Sequence, residues 1–304
     1  MRLQVDRLAS AIKRGDRVAL AKGITLAEND PAAAAGLLAR MGTPGRSFVI
    51  GVTGPPGTGK SSLVDRLIGA YREKGLKVGV IAVDPTSPIT GGALLGDRIR
   101  MTDHVEDGGV FIRSMASRGW SGGLSRATTQ VIRLMDAAGF DVILLETVGI
   151  GQSDIEVVGV AHAVIVVLMP GLGDEIQVSK AGLMEVGDVY VVNKSDLEGA
   201  DLMVVSLLSI FRGPGRSRPV LKASALTGDG VGPLRDAVEK VRLEFAAGDR
   251  ELRLKSIRGM IIETARGAVV ERLAAATESQ AGALADQVIR GRVTIEGAAA
   301  KLAR

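Results

Sequence analysis

The segment Gly54-Pro55-Pro56-Gly57-Thr58-Gly59-Lys60-Ser61 constrains the fold of this chain more than any other. It is a complete G-x-x-x-x-G-K-S loop. The apolar run Phe48-Val49-Ile50-Gly51-Val52 leads into it, and a helical pattern with Leu63, Leu67, Ile68 and Tyr71 on one face leaves it. A strand, a glycine loop and a helix in that order form a phosphate cradle. The glycines let consecutive backbone N–H groups turn toward one anion, and the helix N-terminus adds the positive end of its dipole. Lys60 is spaced to reach β- and γ-phosphates, and the Ser61 hydroxyl to coordinate Mg²⁺. A chance Gly-rich turn explains one of these features, not the full motif with both flanks.

Further apolar runs at 78–83, 142–145, 163–168, 189–192 and 219–221 follow the one at 48–52, separated by segments long enough for crossover helices. The inner runs are continuous rather than alternating, as in strands covered on both faces. The pattern predicts an α/β fold, a doubly wound and mostly parallel sheet over residues 46–250. Residues 1–45 read as an N-terminal helical segment, with Asn29-Asp30-Pro31 as a helix start and Thr43-Pro44-Gly45 as a break before the first strand. Over 251–304 the strands stop. Ile257, Ile261, Ala265, Val269 and Leu273 recur every four residues, then Leu284 and Val288, then Ala298 and Leu302, which predicts a C-terminal arm of amphipathic helices.

A phosphate loop alone leaves the base open. Asn193-Lys194-Ser195-Asp196 follows the run Val189-Tyr190-Val191-Val192 and matches N-K-x-D. A carboxylate at Asp196 accepts from guanine N1–H and the N2 amino group. Adenine presents an acceptor at N1 and leaves that carboxylate desolvated, at a cost of about 1–3 kcal/mol per lost pairing. Lys194 lays its alkyl stem along the base. Ser224-Ala225-Leu226, after the run ending at Leu221, fits the loop whose backbone amide meets guanine O6. The expected nucleotide is GTP or GDP, held by Gly57, Thr58, Gly59, Lys60, Ser61, Ser62, Asn193, Lys194, Asp196, Ser224, Ala225 and Leu226.

The magnesium and hydrolysis side departs from small Ras-like GTPases. Glu146, in Glu146-Thr147-Val148-Gly149, stands where D-x-x-G places Asp. Asp84 closes another strand, and Asp97 lies in a Gly-rich segment beyond it. Carboxylates at strand C-terminal ends face the nucleotide crevice of such sheets. Ser61, Asp84, Asp97 and Glu146 are therefore the candidate Mg²⁺ ligands in its two shells. Lys60, Asp97 and Glu146 carry the catalytic expectation. No Gln directly follows Gly149; Gln152, three positions later, is the candidate for orienting water. Arg98, Arg100, Arg113 and Arg118 are equal candidates for an arginine finger. Slow intrinsic hydrolysis follows. His104 and His162 have no neighbours at metal-ligand spacing and read as structural. Trp120 reads equally as core anchor or exposed contact.

Composition narrows the remaining classes. The chain has no cysteine and two histidines in 304 residues, which removes disulfides and thiolate metal sites. No apolar run is long enough to span a membrane, and the N-terminus lacks the apolar core of a signal peptide. A formal net charge of +4 without a basic cluster does not suggest a nucleic-acid surface. The expected compartment is cytoplasmic.

Taken together, the motifs are G-P-P-G-T-G-K-S-S, V-D-P-T-S-P at 83–88, G-G-A-L-L-G-D-R-I-R-M at 91–101, R-S-M-A-S-R-G at 113–119, E-T-V-G-I-G-Q-S-D at 146–154, P-G-L-G-D-E-I-Q at 170–177 and N-K-S-D. In this combination the chain resembles the MeaB/MMAA (ArgK) family of P-loop GTPases, through the N-terminal helices and the G domain. The resemblance implies a chaperone that gates cofactor loading of an adenosylcobalamin-dependent acyl-CoA mutase, such as methylmalonyl-CoA mutase, and protects it. It implies Asp84, Asp97 and Glu146 near Mg²⁺. It also implies a partner-signalling switch within 169–180, containing Gly173, Asp174, Glu175, Gln177 and Lys180, and a C-terminal homodimerisation arm. At Arg118-Gly119-Trp120-Ser121 the chain departs from the family, which has His then Leu after Arg-Gly. Two alternatives stand beside this reading. A metallochaperone GTPase lacks its usual Cys and His clusters here, and a transport-associated ATPase or kinase has no use for Asp196.

Overall fold

The computed structural model describes residues 2–42, 46–84, 101, 104, 106–116, 126–147, 149, 157–171, 183–211, 218–246, 258, 259, 261, 262, 265, 269 and 278–302. All six apolar runs read from the sequence are strands: β1 (Phe48–Thr53), β2 (Val78–Asp84), β4 (Val142–Glu146), β5 (Ala163–Leu168), β6 (Val189–Val192) and β7 (Val220–Lys222). A seventh, β3 (Val110–Ala116), was not anticipated. Its middle, Ile112-Arg113-Ser114, is only partly buried, because β3 lies at the edge of the sheet and pairs with β2 alone. An edge strand needs no continuous apolar run, so the period-based reading passes over it.

Among the described residues the strands form one sheet in the order β3-β2-β4-β1-β5-β6-β7, with every pairing parallel. All C-terminal strand ends therefore emerge along one edge. β1, which carries the phosphate loop, sits between β4 and β5. Alternate residues of each inner strand enter opposite cores: Val49 and Ile143 face one, Ile50 and Leu144 the other.

The first core holds α1 (Arg2–Lys13), α2 (Arg17–Asn29), α3 (Pro31–Ala39), α5 (Arg126–Ala137) and α6 (Ala200–Ile210) against the sheet. Asp16 and Asp30 cap α2 and α3, each accepting from a backbone N–H three residues on, at 2.9 Å. Pro31 sits just inside α3, as the Asn-Asp-Pro signal predicts. The opposite core packs α4 (Lys60–Arg72) and α7 (Val231–Ala246) on the other face. Leu63, Leu67 and Ile68 of α4 are fully buried, each contributing about 2 kcal/mol of hydrophobic stabilisation. That burial anchors the helix whose N-terminus forms the phosphate loop.

The far end of α4 is fastened by Arg72. Its guanidinium donates to the Asp107 carboxylate at 2.8 and 3.0 Å and to the Leu76 carbonyl at 2.7 Å. The same fork, helped by the Gly109 N–H, holds the Asp107 carboxyl below its ordinary pKa. His162 packs between Phe48 and Phe245, and its Nδ1 accepts from the Val49 N–H at 2.9 Å, a structural role as expected. His104 lies against Asp65 of α4. At the C-terminus, α8 (Glu278–Ile289) and α9 (Ile295–Leu302) carry the predicted Leu284, Val288, Ala298 and Leu302 on facing surfaces. They line an apolar groove of about 380 Å³, rimmed by the exposed Ile289 and Ile295.

Candidate functional site

The loop between β1 and α4 turns on left-handed backbone. Gly59 has φ 84°, and a side chain there would collide with Asn193 Nδ2. Only glycine meets both demands at that point. Lys60 is buried, and its Nζ donates to the carbonyls of Gly54 at 2.9 Å and Pro55 at 3.1 Å. The Thr58 hydroxyl donates to the Pro55 carbonyl at 2.9 Å, which stiffens the loop from within. Ser61, one residue into α4, donates from Oγ to Glu146 Oε1 at 2.6 Å. The predicted phosphate-end hydroxyl and the carboxylate ending β4 thus meet directly.

The chain after β4 is held close to the loop. The Thr147 N–H donates to the Val52 carbonyl at 3.1 Å, and its hydroxyl donates to the Thr53 hydroxyl at 2.9 Å. Gly149 has φ 82°, and a Cβ on it would overlap the Gly54 carbonyl oxygen and Lys60 Nζ. Asp84, at the end of β2, is 3% exposed. Its strand pairs with β4 in a register that sets Ala82 beside Glu146, so Asp84 lies two residues further toward the crevice.

The predicted base end is assembled from the ends of β6 and β7. Asn193 is 1% exposed and works in both directions. Its Nδ2 donates to the Thr58 carbonyl at 2.8 Å, and its Oδ1 accepts from the Ala225 N–H at 3.0 Å. One side chain therefore joins the phosphate loop to the predicted O6 loop. Lys194 alone among the described non-glycine residues has positive φ, 56°. That turn lets the Ser195 N–H reach the Ala223 carbonyl at 3.0 Å and leaves Asp196 facing β7. Ser224 Oγ donates to Asp196 Oδ1 at 2.5 Å, bracing the carboxylate expected to read guanine. Tyr190 of β6 donates to the Met184 carbonyl at 2.9 Å and accepts from the Gly187 N–H, and burial raises its pKa.

The structure brings together Gly57, Thr58, Gly59, Lys60, Ser61, Glu146, Asp84, Asn193, Lys194, Asp196, Ser224, Ala225 and Leu226 along one edge of the sheet. Ser62 is exposed on the first turn of α4. Asp97, Gln152, Gly173, Asp174, Glu175, Gln177, Lys180, Arg98, Arg100, Arg118 and Trp120 lie outside the described residues. Arg113 is turned to the N-terminal helices, where it pairs with Glu28 of α2. Sequence reasoning missed Arg66, whose guanidinium bonds the Ala225 and Leu226 carbonyls. No local signal marks it, since an Arg on a helix flank ordinarily faces water.

The donor set fits a hard divalent cation. Ser61, Asp84 and Glu146 offer hydroxyl and carboxylate oxygens, and the chain has no cysteine to supply a thiolate. Among the described residues, no group of three or more His, Asp or Glu side chains is arranged to hold a metal by protein ligands alone. A Mg²⁺ that takes one or two carboxylates and completes its shell with phosphate and water suits such a site.

The profile of the family described as methylmalonyl-CoA mutase-associated GTPase MeaB matches residues 20–278. A Pyrococcus horikoshii protein with a provisional GTPase designation is 50% identical over 244 residues, 78% of this chain and 77% of its own. The GTPase ArgK of Escherichia coli is 39% identical over 259 residues, covering 80% and 78% of the two chains. The mouse mitochondrial methylmalonic aciduria type A homolog is 34% identical over 270 residues, 80% of this chain and 64% of its own. A crystal structure described as an LAO/AO transport system kinase superposes with a TM-score of 0.70 at 27% identity, spanning 99% of this chain and 97% of that one.

Proposed function

The chain belongs to the family of methylmalonyl-CoA mutase-associated GTPases, and from that premise we propose that it is a GTP-driven chaperone of an adenosylcobalamin-dependent acyl-CoA mutase. It binds GTP, hydrolyses it to GDP and phosphate, and uses the difference to gate cobalamin loading of the mutase and to protect it. The observation that carries this reading is the junction of Ser61, Glu146 and Gly149 at Lys60. The chain leaving β4 is packed onto the groups that meet the γ-phosphate, so it is positioned to respond when that phosphate leaves.

Lys60 neutralises charge on the β- and γ-phosphates. Ser61, Asp84, Asp97 and Glu146 would hold Mg²⁺, which would supply charge neutralisation on the phosphate oxygens. Asn193, Lys194, Asp196 and the 224–226 loop read guanine. Gln152 orients water, and Gly173, Asp174, Glu175, Gln177 and Lys180 carry the signal to the mutase. The apolar groove of α8 and α9 supports a homodimer through the C-terminal arm. No helix among the described residues is long and apolar enough to cross a membrane, and we assign the protein to the cytoplasm.

The test is co-purification with each adenosylcobalamin-dependent acyl-CoA mutase of the source organism, with GTP turnover measured alone and with each mutase. A complex and an altered turnover are expected; neither with any mutase refutes the chaperone role. Intrinsic turnover is slow in this reading, and several turnovers per second without a partner would contradict it. Light scattering at micromolar concentration tests the dimer, which a monomer refutes. A second reading, a transport-associated kinase, is favoured by the description of the superposing crystal structure. ATP bound more tightly than GTP would select it.

A further inference from the structure

Arg66 lies on the exposed flank of α4, on the helix that begins at the phosphate loop. Its guanidinium crosses to the chain after β7. Nε donates to the Ala225 carbonyl at 2.8 Å, and Nη2 donates to the Leu226 carbonyl at 2.9 Å. A planar fork on two successive carbonyls fixes both the position and the tilt of that backbone. Ala225 is gripped from its other end as well, since its N–H donates to Asn193 Oδ1 at 3.0 Å. Asn193 in turn holds the Thr58 carbonyl at 2.8 Å. The contacts close a circuit: phosphate loop, Asn193, Ala225, Arg66, α4, and back to the phosphate loop.

The 224–226 loop needs such a fastening. β7 has three residues, sits at the sheet edge and is only partly buried, and Leu226 is 77% exposed. Core packing holds the start of the loop, where Ser224 is buried and Ala225 rests against the core, but it does little to set where the exposed Leu226 end stands. We infer that Arg66 is a positioning residue for guanine specificity, which sets the distance from the base-reading loop to the phosphate site by tying both to one helix. Through the loop it also steadies Ser224, whose hydroxyl braces Asp196. The inference rests on the guanine reading above and adds to it a residue outside the N-K-x-D and phosphate-loop motifs.

The experiment uses the full chain. GDP and ADP affinities and the melting temperature are measured for the wild type, Arg66→Ala, Arg66→Lys, Ser224→Ala and the Arg66→Ala/Ser224→Ala double variant. Arg66→Ala is expected to weaken GDP about tenfold and to change ADP by less than about twofold, so the guanine preference shrinks about tenfold. Arg66→Lys, which offers one donor point in place of a fork, recovers part of the loss. The double variant loses less than the product of the two single losses, because both act through one loop. A merely structural Arg66 lowers GDP and ADP by the same factor. That result, an unchanged GDP affinity, or losses that simply multiply would each overturn the proposal. If Arg66→Ala melts too low for comparison, Arg66→Lys carries the same test through its GDP-to-ADP ratio. A wild type without guanine preference refutes the guanine reading itself, and the proposal with it.

Discussion

Replacing Asn193 with Ala tests the central joint of the site. The side chain is buried and makes two bonds of good geometry, one at 2.8 Å to the Thr58 carbonyl and one at 3.0 Å from the Ala225 N–H. Truncation removes both and leaves a carbonyl of the fully buried Thr58 and a loop N–H unanswered. At about 1–2 kcal/mol for each neutral pair, the loss is about 2–4 kcal/mol. For a chain of this size that corresponds to a melting temperature lower by roughly 3–6 °C. The free variant can relax its loops, but nucleotide requires them in register, so the affinity for GDP is expected to fall at least about tenfold and at most about 1000-fold. Isothermal titration with GDP and thermal melting on the same preparations measure both quantities. Asn193→Asp provides the control. It keeps the acceptor for Ala225 but sets a carboxylate oxygen where Nδ2 faced the Thr58 carbonyl, so it should be worse than Ala despite its matching shape. A GDP affinity within threefold of wild type for Asn193→Ala, or Asp tolerated better than Ala, would refute the reasoning.

Lys60→Ala should fold normally and lose nucleotide affinity at least tenfold, read by fluorescent-nucleotide titration; unchanged affinity removes the phosphate assignment. Gly149→Ala forces a side chain into left-handed backbone and against Lys60, so GTP turnover should fall at least tenfold while the melting temperature drops by only a few degrees. A fully active Gly149→Ala would mean that the chain after β4 does not need its place over the phosphate loop. Asp107 supplies a pH signature. Arg72 depresses its pKa in the fold, so its stabilisation is present above the ordinary carboxylate range and is lost as pH falls through the lower native value. The advantage of wild type over Asp107→Asn should be clear at pH 7 and vanish in acid. A gap that stays constant into acid contradicts the ion pair.

The inner strands and the phosphate loop were legible because their requirements are local. Val49 and Ile50 face different cores, so both must be apolar, and a continuous run results. The edge strand β3 escaped because Arg113 and Ser114 answer to partial solvent and to Glu28 of α2, not to a period. Asn193 was readable as part of a motif, but its grip on Thr58, 135 residues earlier, was not. Arg66 was invisible for the same reason. Its partners lie 159 and 160 residues away, and helical spacing says nothing about what a flank residue reaches.

The sequence by itself determined the α/β class, the strand–loop–helix of the phosphate-loop motif and the acids at the strand ends, and it set the expectation of guanine. Those follow from backbone conformation and chemistry within a few residues, which a short motif encodes completely. Only the tertiary structure decided that β1 lies between β4 and β5, that Ser61 meets Glu146, and that the 224–226 loop is tied to the phosphate loop and its helix through Asn193 and Arg66. Those contacts depend on which distant segments the parallel sheet brings to one edge, a choice set by the packing of both cores and written in no single stretch of the chain.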